Sequence, residues 1–258
     1  MAQKRQQVDF EAFYRAQYGD RWPLLRQALE EERQPVALTE GLDKTYWLDE
    51  ASIKAAKALG VLPGDRVLDM CAAPGGKTLV LAAALDGEGS LVANDRSQAR
   101  RGRLKRVVDE HLDERRRSII RITGHDASKW SLYEQNAYDK ILLDAPCSSE
   151  RHVIVDDKAL SQWSASRPKR LATLQFAMLA AALEAVVVGG SILYSTCSIN
   201  SGENEEVIEK LARRREGRFI EEPLSIEGAE RRAWGSIILP DRANGIGPLY
   251  LCLIRRSA

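Results

Sequence analysis

The chain has 258 residues, 44% of them hydrophobic and 29% charged, an ordinary balance for a globular protein. At about 100–200 residues per domain this is one large domain, or one with an appendage, and it can bury a sizeable core without staples. A disulfide scaffold, a collagen-like fibre and a wholly disordered chain are excluded, while 38 basic and 37 acidic residues, for a net charge of +1, neither favour nor exclude a nucleic-acid partner except through local clusters.

The opening MAQKRQQVDF is basic but has no apolar run behind it, so it does not read as a signal peptide. No stretch approaches the roughly 18 apolar residues of a membrane span. The expectation is a cytoplasmic monomer with no membrane association. Residues 1–40 read as a helical arm, with Phe10, Phe13, Tyr14 and Tyr18 forming one aromatic stripe at intervals of three and four. Gly19-Asp20 breaks it, Trp22-Pro23 opens a second short helix through Leu24, Leu25, Ala28 and Leu29, and Pro35 ends the segment.

Residues 41–258 form the main domain. Ala51–Gly60 reads as a short amphipathic helix, Arg66–Met70 as a strand, Lys77–Leu85 as an apolar helix and Leu91–Asp95 as the next strand. A basic helix follows from Ser97 to Glu110, then a strand at Ile119–Thr123. Tyr138–Asp144 is apolar at Ile141, Leu142 and Leu143, the pattern of a strand buried on both faces. A long helix is predicted over Pro168–Val188, stopped by Gly189-Gly190, and a strand over Ser191–Thr196. Asn200 or Ser201, with Glu203 and Glu205, starts another helix by setting acids against its positive end. Ser236–Leu239 and Leu249–Ile254 are the last two strands. This alternation predicts an α/β, Rossmann-like fold: a mostly parallel, seven-stranded sheet with helices on both faces and a small N-terminal helical extension. In such sheets a ligand binds beyond the carboxyl ends of the strands, where strand order reverses.

The unusual residues all lie just past strand ends. Cys71, Ala72, Ala73, Pro74, Gly75, Gly76 and Lys77 join the first of these strands to its helix. Adjacent glycines let a backbone approach a ligand, and a helix start offers free N–H donors. The segment fails the P-loop pattern, because Cys71 stands where a glycine is required, and it also fails the dinucleotide fingerprint. Asp95 ends the next strand, where a carboxylate can accept from a ribose diol, and Asp126 ends the third, within reach of an adenine amino group. Three acids at successive strand ends beside a glycine-containing loop fit S-adenosylmethionine better than a nucleoside triphosphate.

Four cysteines, Cys71, Cys147, Cys197 and Cys252, form no CxxC pair, and there are only 3 histidines, so no zinc site is expected. Cys252 lies inside an apolar strand and reads as core. Cys197 follows a strand among hydroxyls, ahead of a helix start where the dipole favours a thiolate. Cys147, in Asp144-Ala145-Pro146-Cys147-Ser148-Ser149, follows the neighbouring strand end. A methyl donor beside a thiolate points to carbon 5 of a pyrimidine. A thiolate adding at carbon 6 makes carbon 5 nucleophilic, Asp144 meets the ring edge, and Cys147 assists loss of the carbon 5 proton. The target base must leave its stack to enter such a pocket.

With these residues in view, DMCAAPGGKT, DAPCSS and YSTCS resemble the S-adenosylmethionine, Pro-Cys and Thr-Cys motifs of the Nop/Sun RNA cytosine-5 methyltransferases, from about Leu42 to the C-terminus. The resemblance implies that Cys197 is the nucleophile and that Cys147 helps release product. It carries the cofactor contacts onto Cys71–Lys77, Asp95, Arg100, Asp126, Ala127 and Asp144. Ser148-Ser149-Glu150-Arg151-His152 departs from the usual Ser-Gly-x-Gly that follows Pro-Cys, and Gly247-Pro248-Leu249-Tyr250 departs from Asp-Gly-Phe-Phe. Both departures, and more loosely YGDRWP, are similar to the branch of the mitochondrial ribosomal-RNA and tRNA enzymes. The implied substrate is RNA, ribosomal ahead of transfer RNA, with a ribosomal subunit or accessory protein supplying affinity. DNA cytosine-5 methyltransferases lack the Thr-Cys cysteine. Basic clusters at Arg100–Arg106, Arg115–Arg117, Arg167–Arg170 and Arg213–Arg215 are candidate phosphate contacts, and Arg151 a candidate contact to the target strand. The competing readings are a catalytically silent RNA-binding or ribosome-assembly factor that keeps the fold, and a methyltransferase acting on small molecules.

Overall fold

A computed structural model of the chain describes residues 9–258, and most of the basic opening lies outside them, with the expectation that it is no signal peptide. The chain begins with helices α1 (Phe10–Tyr18) and α2 (Trp22–Glu30), an antiparallel pair β1 (Val36–Leu38) and β2 (Tyr46–Leu48), and α3 (Glu50–Ala58). The first half of the main sheet comes next as β3 (Arg66–Asp69), α4 (Gly76–Leu85), β4 (Ser90–Asn94), α5 (Gln98–His111), α6 (Glu114–Ser118) and β5 (Ile120–Thr123). The second half is β6 (Tyr138–Asp144), α7 (Glu150–Val155), α8 (Asp157–Ser161), α9 (Ser166–Ala185) and β7 (Val186–Thr196). It closes with α10 (Glu205–Arg214), β8 (Phe219–Glu222), β9 (Ala229–Arg231), β10 (Ser236–Ile238) and β11 (Leu249–Arg256). Among the described residues no helix is long and apolar enough to cross a membrane.

The main sheet has nine strands, in the order β5-β4-β3-β6-β7-β11-β10-β9, with β8 also paired to β11. β3 through β7 pair in parallel, and the C-terminal strands add antiparallel. The chain steps outward from β3 to β4 and β5, then returns across β3 to β6 and β7. Strand order therefore reverses between β3 and β6, whose last residues are Asp69 and Asp144. That crevice is where a doubly wound sheet leaves room for a ligand.

The seven strands legible in the sequence are β3, β4, β5, β6, β7, β10 and β11, and they lie side by side. The two extra strands are short and half charged, FIEE and AER, so nothing in their own pattern marks them. They are strands because β11 and β10 offer them edges, and the Glu221 carboxylate receives Arg231 across them. The long helix ends at Ala185 rather than Val188, because the β-branched run Val186-Val187-Val188 is already strand. Gly189-Gly190 does not stop a helix; it lies inside β7, where the register against β6 jumps from Tyr138↔Val186 to Lys140↔Ser191. Gly189 has φ +84°, and a Cβ on Gly190 would sit 2.8 Å from the Asp139 carbonyl oxygen. This is glycine used in a strand irregularity.

The aromatic stripe of the arm is a packing face. Phe10, Tyr14, Trp22, Leu25 and Leu29 are buried in the main core. Phe10 and Phe13 each meet Trp163 at 5.3 Å between ring centroids, and Tyr14 stacks on Trp22 at 5.4 Å. Arg21, in the YGDRWP stretch, forks onto Glu230 and Asp241 through four hydrogen bonds of 2.6–2.8 Å. Trp22→Ala is expected to cost about 3–5 kcal/mol of unfolding free energy, measured by urea denaturation. A loss near 0.5 kcal/mol would mean that the arm is only loosely docked.

Candidate active site

The loop after β3 forms the floor of the crevice. Asp69 is buried; one of its oxygens accepts from the Thr78 hydroxyl at 2.8 Å, and its Oδ1 has no hydrogen-bond partner among the described residues. Burial pushes the Asp69 carboxyl up to about 7. The glycines also serve packing. Gly75 has φ +127°, and a Cβ there would come within 2.9 Å of the Val107 side chain; a Cβ on Gly76 would come within 2.6 Å of Leu48. Both are therefore required where the loop packs on α5 and β2, and Gly75 faces protein rather than the crevice.

Two clefts flank this loop and share Cys71. One, of about 100 Å³, is lined by Ala72, Ala73, Pro74, Gly76, Lys77 and Asp144 together with Ser52 and Leu48. The other, of about 160 Å³, is lined by Asp95, Arg100, Asp126 and Ala127. Met70, Asn94, His125, Pro146, Leu174 and Met178 also border it, and these six were not singled out from the sequence. Leu174 and Met178 are four apart on α9, a spacing that marks one helix face but not what it covers. Asn94 ties three strand ends together. Its amide donates to the Met70 and His125 carbonyls at 3.0 and 3.2 Å, and its oxygen accepts from Thr123 Oγ1 and the His125 N–H at 3.0 and 2.8 Å. Asp95 accepts from the Ser97 N–H at 2.9 Å and lies 3.4 Å from the Arg100 guanidinium, which also donates to the Ala73 carbonyl. Both Asp126 bonds from Ser128 reach a single oxygen, hold the carboxyl below its usual range, and leave the other oxygen 3.7 Å from Arg96.

β6 and β7 are adjacent and parallel, with Asp144 opposite Ser195, so the two cysteine segments leave the sheet side by side. Cys147 Sγ lies 3.0 Å from Cys197 Sγ. Cys197 is exposed although Thr196 and Ser198 on either side are buried. Its thiol is held below the usual value chiefly by the hydrogen bond from Cys147, with help from Ser149 at 3.2 Å and against the effect of burial. The same bond pushes Cys147 up. Hydrogen bonds favour the thiolate here, and a 3-10 turn opens after Asn200 before α10 begins at Glu205. Cys71 and Cys252 are raised by burial and stand apart from this pair. Asp144 accepts from Ser195 Oγ at 2.9 Å and pairs with Lys77 Nζ at 2.7 Å; Lys77 also reaches Ser52 at 3.1 Å. Burial works against the Lys77 ammonium, but Asp144 outweighs it and keeps the pKa raised.

Beneath the sulfurs lies a polar layer that sequence reasoning missed. Glu203, expected as a helix-start acid, is buried and accepts from Ser148 N–H at 2.9 Å, Gln175 at 2.9 Å, the Ser148 hydroxyl and Ser198. Glu150 is also buried and accepts from Tyr14 at 2.5 Å, Ser198 Oγ at 3.0 Å and the Ile199 N–H at 3.0 Å. The two carboxylates hold the residues that flank Cys147 and Cys197. Burial first, then Glu203, pushes Glu150 up to about 7. A carboxyl raised in the folded state contributes stability that is present below its unfolded pKa and lost as pH rises through the folded value. The folded protein should therefore weaken between about pH 4.5 and pH 7.5, by at most about 3 kcal/mol from this group. Glu150→Gln, whose amide can face the Tyr14 and Ser198 hydroxyls, should flatten that slope in urea titrations at pH 5, 6, 7 and 8. An unchanged slope would show Glu150 ionised throughout.

Some members of the basic clusters have partners within the protein, while the Arg167–Arg170 cluster makes no ion pair among the described residues and only Arg170 reaches a side chain, Ser166. Arg101 donates to the Asp95 and Arg96 carbonyls, Arg116 to Asp86 and Asp113, Arg117 to the Asp109 carbonyl, and Arg215 pairs with Glu184. Arg151 is held within the protein as well. It donates to the carbonyls of Ala28, Glu31 and Gly245, clasping the end of α2.

The reversed strand order, the loop after β3 and the clefts beside it define the fold of the Rossmann-like S-adenosylmethionine-dependent methyltransferases. Residues 56–247 match the family model "16S rRNA methyltransferase RsmB/F", and the chain belongs to that family. It is 34% identical over 233 residues to the 5-cytosine rRNA methyltransferase NSUN4 of Bos taurus, covering 84% of this chain and 60% of the relative. It is 30% identical over 230 residues to the mitochondrial tRNA (cytosine(34)-C(5))-methyltransferase of Danio rerio, covering 84% and 62%. The structure of NSun6 from Pyrococcus horikoshii with SFG superposes with a TM-score of 0.69 at 25% identity, covering 85% of this chain and 54% of that one. The chain thus spans about 60% of the length of these two curated relatives.

Proposed function

We propose that this chain transfers the methyl group of S-adenosylmethionine to carbon 5 of a cytosine in RNA through a covalent adduct on Cys197. The observation that carries the reading is the sulfur pair: two thiols 3.0 Å apart at adjacent strand ends, the exposed one held toward its thiolate. The residues beside it fit the cofactor. Asp69 Oδ1 is a buried acceptor without a donor among the described residues, Asp126 has one oxygen facing only Arg96 at 3.7 Å, and Asp95 borders the same cleft as Arg100 and Ala127. An amino acid ammonium, a ribose diol and an adenine amine bring the donors such acceptors need. Cys71–Lys77, Asp95, Arg100, Asp126, Ala127 and Asp144 would hold the cofactor, and when bound it supplies an electrophilic methyl group.

The chain's own residues do the rest. The Cys197 sulfur bonds to carbon 6, and the displaced C5=C6 electron pair makes carbon 5 the nucleophile. Asp144, fixed by Lys77 and Ser195, meets the N3 and exocyclic amine edge. Cys147 serves at the loss of the carbon 5 proton, after which the Cys197–carbon 6 bond breaks and the ring regains its double bond. The base enters the mouth out of its stack. Two reduced thiols this close suit a reducing compartment, and we assign the protein to the cytoplasm.

The relatives named as rRNA methyltransferases support ribosomal RNA ahead of transfer RNA, and we propose that a ribosomal subunit or accessory protein supplies affinity. The test is transfer of labelled methyl to ribosomal RNA, intact ribosomal subunits and tRNA separately, with Cys197→Ala as control. Cysteine-dependent label recovered as 5-methylcytosine in the ribosomal fractions is the expected result. No label in any fraction, with cofactor bound, would favour an assembly factor that keeps the fold.

A further inference from the structure

Ser149 combines three features that do not belong together in an ordinary loop residue. Its backbone lies in the left-handed region, at φ +53° and ψ +60°, where a side chain costs roughly 1 kcal/mol that glycine would not. It occupies the N-cap of α7, yet its hydroxyl makes no capping bond, although a serine there usually turns its oxygen to the helix N–H groups. Instead the hydroxyl stands 3.2 Å from Cys197 Sγ and 3.5 Å from Cys147 Sγ. The strained backbone is thus used to point an oxygen at the sulfurs rather than at the helix.

We propose that Ser149 is a further catalytic residue of this site, whose hydroxyl donates a hydrogen bond to the Cys197 sulfur and aims it as the attacking thiolate. The inference rests on the reading of Cys197 as nucleophile. No proton changes owner in this contact: the hydroxyl keeps its hydrogen and orients it toward the sulfur. Cys147 donates from one side and Ser149 from another, so the sulfur receives two donors before it bonds to carbon. Once it is a thioether it is a weak acceptor, and the contact is made mainly with the ionised form. The other titratable groups facing Cys197 are Asp144 at the end of β6, Glu150 on α7 and Lys77 on α4, and all three are retained when Ser149 is replaced.

The test uses the purified full chain under reducing conditions, without RNA. Alkylation of Cys197 by iodoacetamide is followed against pH by peptide mapping in wild type, Ser149→Gly and Ser149→Ala. A hydrogen bond to a charged group is worth enough to change an equilibrium about tenfold. Both variants should therefore raise the midpoint by about one pH unit and slow alkylation at pH 7 about tenfold. Ser149→Gly suits the left-handed backbone, so it should unfold at no lower urea concentration than wild type, which separates the effect from misfolding. Methyl transfer should fall with the alkylation rate while the KM for S-adenosylmethionine stays constant. Midpoints equal to wild type in both variants would overturn the proposal. A shifted midpoint together with wild-type methyl transfer by Cys197→Ala would instead overturn the nucleophile assignment on which it rests, and Ser149's catalytic role with it.

Discussion

Cys197→Ala is expected to lose methyl transfer to RNA by on the order of 10⁴-fold or more, the scale on which enzymes lose rate when their nucleophile is removed. Carbon 5 of cytosine does not attack a methyl group unaided, and no other group among the described residues stands in for the sulfur. Cys147 is the neighbour with the right chemistry, but its thiol is pushed up by donating to Cys197 and by burial. The fold should be untouched, because Cys197 is exposed and packs into neither core cluster. Cofactor affinity should be unchanged too, since Cys197 lines neither cleft beside the β3 loop. Single-turnover methyl transfer and cofactor binding, measured on the same preparation, check this. Wild-type rates would mean that Cys147 attacks, the arrangement of the DNA enzymes.

The site was legible in the sequence to the extent that strands were. An apolar run such as Ile141-Leu142-Leu143 announces a buried strand, and the residues just past its carboxyl end face the crevice. That placed the Cys71–Lys77, Asp144–Ser149 and Thr196–Ser198 segments at one mouth once β3, β6 and β7 were neighbours. What the sequence left unread depends on long-range contact. Glu203 has the sequence context of a helix-start acid, and only the return of the Ser148 segment makes it a buried anchor. Arg151 reads as a candidate contact to the target strand, and only the fold shows it donating to the end of α2. Gly75 and Gly76 read as a ligand cradle, and the sequence does not show that their missing side chains also make room for Val107 and Leu48. Ser149 was visible only as part of a departure from Ser-Gly-x-Gly, because its contact depends on a backbone angle and on a sulfur 48 residues away.

Cys147→Ala should accumulate a covalent complex between protein and RNA that survives denaturation in SDS. Two effects of the substitution compete, and their magnitudes decide the outcome. Removing the Cys147 donor takes one hydrogen bond from Cys197, which should slow thiolate attack about tenfold. Removing the same sulfur deprives the methylated adduct of the group positioned for the carbon 5 proton. The two sulfurs are 3.0 Å apart, so on the proposed mechanism the second is within reach of a ring bonded to the first. General acid–base help of this kind is worth about 10²–10⁴-fold. Release is therefore slowed more than attack, and the adduct builds up. A gel shift with labelled RNA should appear in Cys147→Ala, form faster as pH rises, and vanish in the double variant with Cys197→Ala. Wild-type turnover by Cys147→Ala without any adduct would assign proton removal to another base. An adduct that persists without Cys197 would make a different residue the nucleophile.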